Sequence, residues 1–333
     1  MNITYRLFNI DEENKSKLFD LYRNVYGDAA IYMNRWAWEV EQHPDIKDIK
    51  IFIAECENLI VGASMRIPLK IKANDKVLNS AFSINSMVHS DFRGKGIIQN
   101  LYTMSFNYYP VLYSKSTAPG MYKILIKMGY RIVEPDTVLT SILSITGWSL
   151  WRLGWYKPEI RIDDIMIDQK KGFNEIEKFG AEFDEFWDSV SPQYPNIVVK
   201  NAAFMNWRYF RIPQKKYRIF YKKSNGRITV MAVLGQSGTT AKIVDILWDR
   251  GKRDELLVTI DYIKKICRKC GFLKVLCWTP MVELRDSLKK KRFIDSGERD
   301  NLNVMINNDA FESFSVGSDF HFVLGDGDSE YLS

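Results

Sequence analysis

The stretch SINSMVHSDFRGKGIIQNLY, residues 83–102, decides the fold that we predict for this chain. Ser83–His89 has the composition of a short extended strand, and the polar pair Ser90-Asp91 forms a turn after it. Apolar residues then recur at near-helical spacing, as one buried helix face requires: Ile97, Leu101, Met104 and Tyr108. The stretch therefore predicts a strand, a glycine-rich turn and a helix.

The turn Arg93-Gly94-Lys95-Gly96 has the chemistry of a phosphate site. The first turn of a helix leaves its backbone N–H groups unpaired and carries the positive end of the helix dipole. The two glycines let the backbone approach a ligand closely, and the two cations favour a pyrophosphate over a carboxylate. Neither a Walker loop nor a Rossmann fingerprint fits, because the glycine spacing and the residues Ile97 and Gln99 differ from both motifs.

The stretch resembles the pyrophosphate loop of the GNAT acyl-CoA N-acyltransferase superfamily. The pattern of that loop is Arg or Gln, two residues, Gly, one residue, then Gly or Ala, and Arg93, Gly96 and Ile98 occupy its fixed places. Ile98 is larger than the usual residue. The resemblance implies acetyl-CoA or another acyl-CoA as co-substrate, with no metal. It also implies that the co-substrate lies along the organising strand and the loop, against Met87, Val88, Arg93, Gly94, Lys95, Gly96, Ile97 and Ile98.

In the family that this chain resembles, a backbone N–H of the strand polarises the thioester carbonyl, as an oxyanion hole does. By position this donor is the amide of Val88 or of a neighbour. His89 is a candidate general base, since its reference pKa is near neutrality, although a lone histidine at a strand end also serves packing. Tyr122 is a candidate acid for the departing thiolate. It lies one turn before Leu125, the place where the family often has a tyrosine, and packing is the alternative role.

The composition indicates a globular protein of about two domains. Its 46% hydrophobic and 26% charged residues are typical of such proteins. A net charge of +6 suits an anionic co-substrate and is too small for a nucleic-acid-binding protein. No apolar run reaches the ~18 residues of a membrane span, the N-terminal sequence lacks the apolar core of a signal peptide, and cysteines are few. We predict a cytoplasmic protein with no nucleic-acid or membrane partner.

Two further patterns are interpreted as structural. Cys267 and Cys270 have CxxC spacing, but no second ligand pair follows and the chain has three histidines, so zinc is not expected. Trp148, Trp151 and Trp155 have helical spacing and could line a lipid or acceptor surface, but such residues usually pack between domains.

Elements before and after residues 83–102 follow the GNAT order, and a similar order then recurs. Phe204-Met205-Asn206-Trp207 resembles Tyr32-Met33-Asn34-Arg35-Trp36, and each is followed by a proline and an Ile-Phe strand. In the second copy Asp249-Arg250-Gly251-Lys252-Arg253 stands where the first has its glycine-rich loop. We therefore predict two tandem α/β GNAT-like domains, each a mixed twisted sheet flanked by helices: residues 1–160, which bind acyl-CoA, and residues 161–333, whose loop is degenerate.

The predicted function is transfer of an acetyl or other acyl group from acyl-CoA to an amine of a small molecule or sugar, by direct attack. Two alternatives stay open: aminoacyl or fatty-acyl transfer, and a CoA-binding or interaction module without catalysis. The fold alone does not choose the acceptor. Trp207, Arg208 and the acidic tail from Asp326 to Glu330 are candidate walls of the acceptor site, with packing as the alternative for Trp207.

Overall fold

A computed structural model describes residues 2–115, 118–306 and 319–327. These divide into two compact units. The first comprises residues 2–71, 76–132 and 302–306, and the second comprises residues 72–75, 133–301 and 319–327. Within this described part, no helix is both long enough and apolar enough to cross a bilayer.

The helices, in chain order, are α1 Glu12–Tyr26, α2 Ala30–Trp36, α3 Ile97–Ser105, α4 Pro119–Lys127, α5 Ile145–Arg152, α6 Ala181–Val190, α7 Ala202–Phe210, α8 Arg253–Lys269 and α9 Val282–Lys290. A π-helical turn, Ala37–Glu41, follows α2 directly. The strands are β1 Thr4–Leu7, β2 Lys50–Cys56, β3 Leu59–Pro68, β4 Ile71–Ala73, β5 Lys76–Leu78, β6 Ser80–Val88, β7 Val111–Lys115, β8 Arg131–Ile132, β9 Thr137–Ile142, β10 Phe173–Glu175, β11 Asn196–Val198, β12 Arg218–Ser224, β13 Arg227–Ser237, β14 Thr240–Trp248, β15 Lys274–Cys277, β16 Ile294–Arg299, β17 Leu302–Ile306 and β18 Phe320–His321.

The first unit is built on a seven-stranded mixed sheet in the order β1-β2-β3-β6-β7-β17-β8. Strands β1, β2, β3 and β6 are antiparallel neighbours, β6 and β7 are parallel, and β17 is antiparallel to both β7 and β8. Helix α3 covers one face, where Ile97 and Leu101 pack against Phe52, Ala54 and Val61. Ile97 and Leu101 thus bury one face of α3, as predicted. Tyr108 does not belong to this face, because α3 ends at Ser105 and Tyr108 is 43% exposed.

Local side chains explain where several elements begin and turn. Helix α1 starts after Asp11, whose Oδ1 accepts a hydrogen bond from the backbone N–H of Asn14 at 2.8 Å, as an N-cap does. The β2–β3 hairpin turns at Glu57-Asn58, which have φ angles of 49° and 66°. Positive φ at both central residues is what a tight two-residue hairpin requires.

The second unit repeats the pattern with a sheet in the order β10-β12-β13-β14-β15-β9-β16. Its first four strands are antiparallel neighbours, β14 and β15 are parallel, and β9 is antiparallel to both β15 and β16. The β12–β13 hairpin turns at Asn225-Gly226, which both have positive φ angles. Strands β11 and β18 also pair, in parallel, within this unit.

The observed division differs from the single boundary predicted near Ile160. Strand β9 precedes that boundary in the sequence but lies inside the second sheet, and β17, near the other end of the chain, lies inside the first. The sequence does not indicate which sheet residues 137–142 and 302–306 join. Strand pairing depends on residues that are distant in the sequence, and this pairing determines which residues belong to each unit.

Candidate functional site

The predicted glycine-rich turn connects β6 to α3 through left-handed backbone. A 3₁₀ turn, Ser90–Phe92, follows β6, and then Gly94 and Gly96 adopt φ angles of 79° and 74°. Residues with a Cβ rarely adopt these angles. No neighbouring atom lies within 4 Å of where a Cβ of either glycine would be, so the space beside the turn is open in the described chain.

Helix α3 begins at this turn, and no side chain among the described residues caps its first turn. Gly96 is its N-cap and supplies no side-chain acceptor, so the first-turn N–H groups point to the open side. Arg93 and Lys95 are exposed beside them. Ile98, the residue that departs from the family pattern, packs its side chain against the cluster that contains Tyr102 and Leu125. Its bulk therefore lies towards the core, and its amide stays at the turn.

Strand β6 carries a bulge that redirects its second half. Ala63 pairs with Met87 and Met65 pairs with Ile84, so one residue of β3 faces two of β6. Asn85 in this bulge has a φ of 48°. Asparagine tolerates the left-handed region better than most residues do, which explains how the strand holds this geometry.

Beyond the bulge, β6 and β7 separate. Their parallel pairing covers only Ser80–Phe82 and Val111–Tyr113, although β6 continues to Val88 and β7 to Lys115. Among the described strands, none pairs with the β7-facing edge of residues 83–88. Backbone donors and acceptors on that edge are therefore available to an extended ligand, and the edge leads directly to the glycine-rich turn.

His89 lies between the open strand edge and the turn, as predicted. One nitrogen of its ring, however, already accepts a hydrogen bond within the chain. Its Nδ1 accepts a hydrogen bond from the backbone N–H of Asp91 at 3.3 Å, and its ring meets Phe92 edge-on. In the neutral imidazole this places the proton on Nε2. A general base needs a free lone pair, so the contact favours a capping role for His89 over proton abstraction.

Tyr122 lies in α4 and is half-buried. Leu125, at the place where the family often has tyrosine, is fully buried and packs with Tyr102 and Tyr130. A side chain at that place therefore faces the core in this chain. Tyr122 stays the candidate acid on this helix.

A buried polar cluster near the bulge was not predicted. The guanidinium of Arg35 pairs with the carboxylate of Glu39 at 2.8 Å, and both side chains are almost fully buried. Asn85 Nδ2 donates to the same carboxylate at 3.3 Å. Glu39 lies in the π-helical turn, a feature that is frequent at functional sites. The spacing of residues in a sequence does not predict a π-helical turn. The position of the Glu39 carboxylate beside the bulge therefore could not be predicted.

A second polar chain runs along the α3 face. Ser86 Oγ lies 2.7 Å from Ser64 Oγ and 3.0 Å from the Tyr102 hydroxyl. The buried guanidinium of Arg66 donates to Ser64 at 2.5 Å and lies 4.1 Å from the Tyr102 ring centre. These contacts connect the bulged strand to β3 and α3 and fix its course.

One family model matches the part of the chain that contains this site. Residues 6–133 match the family model described as an acetyltransferase (GNAT) domain. The chain therefore contains a GNAT domain. The match includes the bulged strand, the glycine-rich turn and α3.

Solved structures extend the similarity over nearly the whole chain. A probable N-acyltransferase from Enterococcus faecalis V583 has 11% identity and a TM-score of 0.62, covering 92% of this chain and 73% of its own. A GCN5-related N-acetyltransferase from Anabaena variabilis ATCC 29413 has 13% identity and a TM-score of 0.61, covering 92% and 74%. An N-myristoyltransferase from Saccharomyces cerevisiae, solved with myristoyl-CoA, has 10% identity and a TM-score of 0.56, covering 91% and 82%. No curated protein matches significantly.

These identities show the fold alone. Together with the two repeated sheets they confirm the predicted α/β class with two GNAT-like units in tandem. In the part of the chain that the structure describes, no group of three or more histidine, cysteine, aspartate or glutamate residues is arranged to hold a metal ion.

The loop of the second unit differs from that of the GNAT domain in its electrostatics. The backbone N–H of Gly251 donates to Asp249 Oδ1 at 3.0 Å, and Asp249 caps the 3₁₀ turn Arg250–Lys252 that leads into α8. The guanidinium of Arg250 pairs with Glu283 at 2.7 Å. One carboxylate thus accepts from an amide of the 3₁₀ turn before α8, and a second carboxylate pairs with the loop arginine.

Residues near the described C-terminal end contact the region of the second unit where β14 and β15 diverge. β14 and β15 pair only over Thr240–Ile243 and Lys274–Cys277. Past that point His321 Nε2 donates to the backbone carbonyl of Ile246 at 2.8 Å, and Phe322 meets Trp278 edge-on. The described C-terminal residues therefore contact β14 and the residue directly after β15.

A buried ion cluster holds this segment. Lys200 Nζ donates to Asp245 at 2.8 Å and also to Asp326, and all three side chains are fully buried. Tyr209 donates to Asp245 at 2.8 Å, and Arg208 donates to the carbonyls of Gly325 and Gly327.

These contacts show that the prediction of Trp207, Arg208 and Asp326 as walls of the acceptor site was wrong. Asp326 and Arg208 are engaged in the second unit's own core, and Trp207 is buried against Phe204. Residues 328–330 of the suggested acidic tail lie outside the described residues.

Titration of His321 is expected to weaken the fold in acid. Burial, and next the charge of Lys200, lower the pKa of His321 from 6.5 to about 4. The unfolded chain therefore binds more protons than the folded one between these values, and the free energy of unfolding falls as pH falls through that window, by up to about 3 kcal/mol. Asp326 acts in the opposite sense below pH 6, because burial raises its pKa to about 6.

The contribution of His321 is isolated by comparing the parent with His321→Gln in urea unfolding at pH 7 and pH 4. Glutamine retains an N–H donor for the Ile246 carbonyl but does not titrate. The stability advantage of the parent should shrink towards pH 4, while Asp326 affects both proteins alike. An advantage that is constant with pH would contradict the assignment.

Proposed function

We propose that this protein transfers an acetyl or other acyl group from acyl-CoA to an amine of a small molecule or sugar, by direct attack. The supporting observation is that an uncapped glycine-rich turn and a strand edge freed by a bulge are continuous in one unit. That combination presents donors to a pyrophosphate and to an extended chain at once. The family match over the same residues supports acyl-CoA as the co-substrate.

In this proposal the main role of the chain is to position the acyl-CoA, and few of its side chains take part in the reaction. The first-turn amides of α3, with Arg93 and Lys95, hold the pyrophosphate. The open edge of β6 near Met87 and Val88 holds the thioester carbonyl against a backbone N–H, which stabilises the charge that develops as the amine attacks. The amine nitrogen forms the new C–N bond, the C–S bond breaks, the thiolate leaves, and the nitrogen passes its extra proton to solvent water. Tyr122 is the candidate donor to that thiolate.

We propose further that the second unit binds no acyl-CoA. Asp249 accepts from an amide of its loop, and His321 and Phe322 contact Ile246 of β14 and Trp278, the residue after β15. This unit would then serve shape and stability. The proposal also includes a cytoplasmic location.

Thiol release tests the enzymatic function. The purified protein, acetyl-CoA and a panel of amines should release CoA thiol faster than the amine-free control, with loss of rate in Gly96→Asp. Longer acyl-CoA thioesters in parallel distinguish acetyl from fatty-acyl transfer. Calorimetric binding of acyl-CoA without turnover across the panel would contradict transfer and favour the module without catalysis.

A further inference from the structure

The segment from Ile145 to Met166 in the second unit exposes an unusual run of large apolar side chains. The sequence suggested that its tryptophans pack between domains, but Trp155 is 78% exposed and Leu153 is 61% exposed. The exposed apolar residues of this segment are Ile145, Trp151, Leu153, Trp155, Tyr156 and Met166. Single exposed apolar residues are ordinary, whereas a run of them marks an interaction surface.

Basic residues adjoin this segment at the end of α8. Residues 264–274 contain five lysines and arginines and no acidic residue. Cys270 Sγ of this region lies 3.5 Å from the carbonyl oxygen of Arg161 in the apolar segment, and Arg268 Nε donates at 2.9 Å to the carbonyl of Leu143, two residues before that segment. The apolar segment and the basic helix end therefore belong to one region of the second unit, which we call the aromatic-basic patch.

A groove of about 580 Å³ in this patch concentrates positive charge. Four lysines line it, at positions 170, 171, 265 and 269, together with the carboxylates of Asp164 and Asp168. Contact with the Lys171 ammonium lowers the pKa of Lys265, as expected where like charges are incompletely neutralised. Met166, 84% exposed, lies in the same lining. Apolar and cationic groups are thus presented together.

We propose that the aromatic-basic patch binds the surface of an anionic lipid membrane. Tryptophan and tyrosine favour the boundary between headgroups and acyl chains, where the ring is buried and the polar atom stays hydrated. Leucine, isoleucine and methionine add apolar area, and lysines and arginines are attracted to anionic headgroups. This is attachment to one leaflet without a spanning helix, and it revises the prediction of no membrane partner.

Charge argues against a second copy of the chain as the occupant. A two-fold contact places the same patch on both subunits. The lysines of residues 264–274 would then face their own counterparts, and like charges across an interface oppose association. An anionic bilayer supplies both the opposite charge and the apolar layer.

Vesicle sedimentation tests the proposal. Large vesicles of phosphatidylcholine, with or without phosphatidylglycerol, are mixed with the full chain at low salt. The parent should bind the anionic vesicles and be released by added salt. Leu153→Ser/Trp155→Ser should weaken binding by about tenfold or more. Its matched control is Ile294→Ser, which changes a residue of similar exposure, 59%, elsewhere in the unit and should bind like the parent.

The charge contribution is tested by Lys265→Glu/Lys269→Glu, with Lys289→Glu/Lys290→Glu as a control of equal charge change on α9. The first pair should lose about tenfold or more in binding and the second much less. Thermal melts verify that each variant folds. Three results would overturn the proposal: no binding of the parent to anionic vesicles, equal binding by all folded variants, or a dimer in light scattering that Leu153→Ser/Trp155→Ser abolishes.

Discussion

Replacing Gly96 with aspartate is expected to lower the affinity for acyl-CoA by about 100-fold or more. The new carboxylate would lie at the N-cap of α3, where it would accept from the free amides itself and repel the pyrophosphate. In the second unit a carboxylate already accepts from a loop amide, since Asp249 accepts from the Gly251 N–H in the 3₁₀ turn before α8. Isothermal titration with acetyl-CoA measures the change.

Two variants separate charge from backbone strain. Gly96→Asn has nearly the same shape as Gly96→Asp, and asparagine tolerates a φ of 74° better than most residues do. It should retain much of the affinity. Gly251→Asp places the same charge on the second loop and should have little effect. If Gly96→Asn loses as much affinity as Gly96→Asp, then strain explains the loss. Equal losses from Gly96→Asp and Gly251→Asp would contradict the assignment of the site to the GNAT domain.

Replacing Lys200 with methionine is expected to lower the free energy of unfolding by about 3–5 kcal/mol. Lys200 lies between the fully buried carboxyl groups of Asp245 and Asp326. Methionine fills a similar volume but leaves those groups without their cation, and a buried uncompensated charge is costly. Urea unfolding at pH 7 measures the loss.

Rescue distinguishes charge from packing in this cluster. Adding Asp245→Asn and Asp326→Asn to Lys200→Met removes the uncompensated charges and should recover part of the stability. Lys178→Met, at an exposed lysine of the same unit, controls for the substitution itself and should change stability little. A Lys200→Met protein as stable as the parent would show that the ion cluster is not needed to hold the C-terminal segment.

Local chemistry made much of the fold predictable. The Asp11 cap, the turn at Glu57-Asn58 and the glycines at 94 and 96 each depend on residues within a few positions of one another. Such features need no knowledge of distant partners. The strand, turn and helix of residues 83–102 were predictable for the same reason.

The features that the sequence did not reveal depend on distant residues. Asn85 sits in a bulge whose other half is on β3, and its contact Glu39 is 46 positions away. His89 has the residue type of a base, yet the amide of Asp91 uses its lone pair. Trp155 has the spacing of a packed residue and is exposed. For each of these residues the residue type and its spacing are visible in the sequence, whereas its contacts depend on the tertiary structure.

The placement of β9 and β17 has a consequence for synthesis of the protein. β17 lies between β7 and β8, so the sheet that carries the glycine-rich turn is incomplete until residues 302–306 have left the ribosome. Domains commonly fold in order as they emerge. Here the nascent GNAT domain must wait, with the β7 edge unpaired, while about 170 further residues are translated. Chaperone protection of that edge during translation would then be part of making an active molecule.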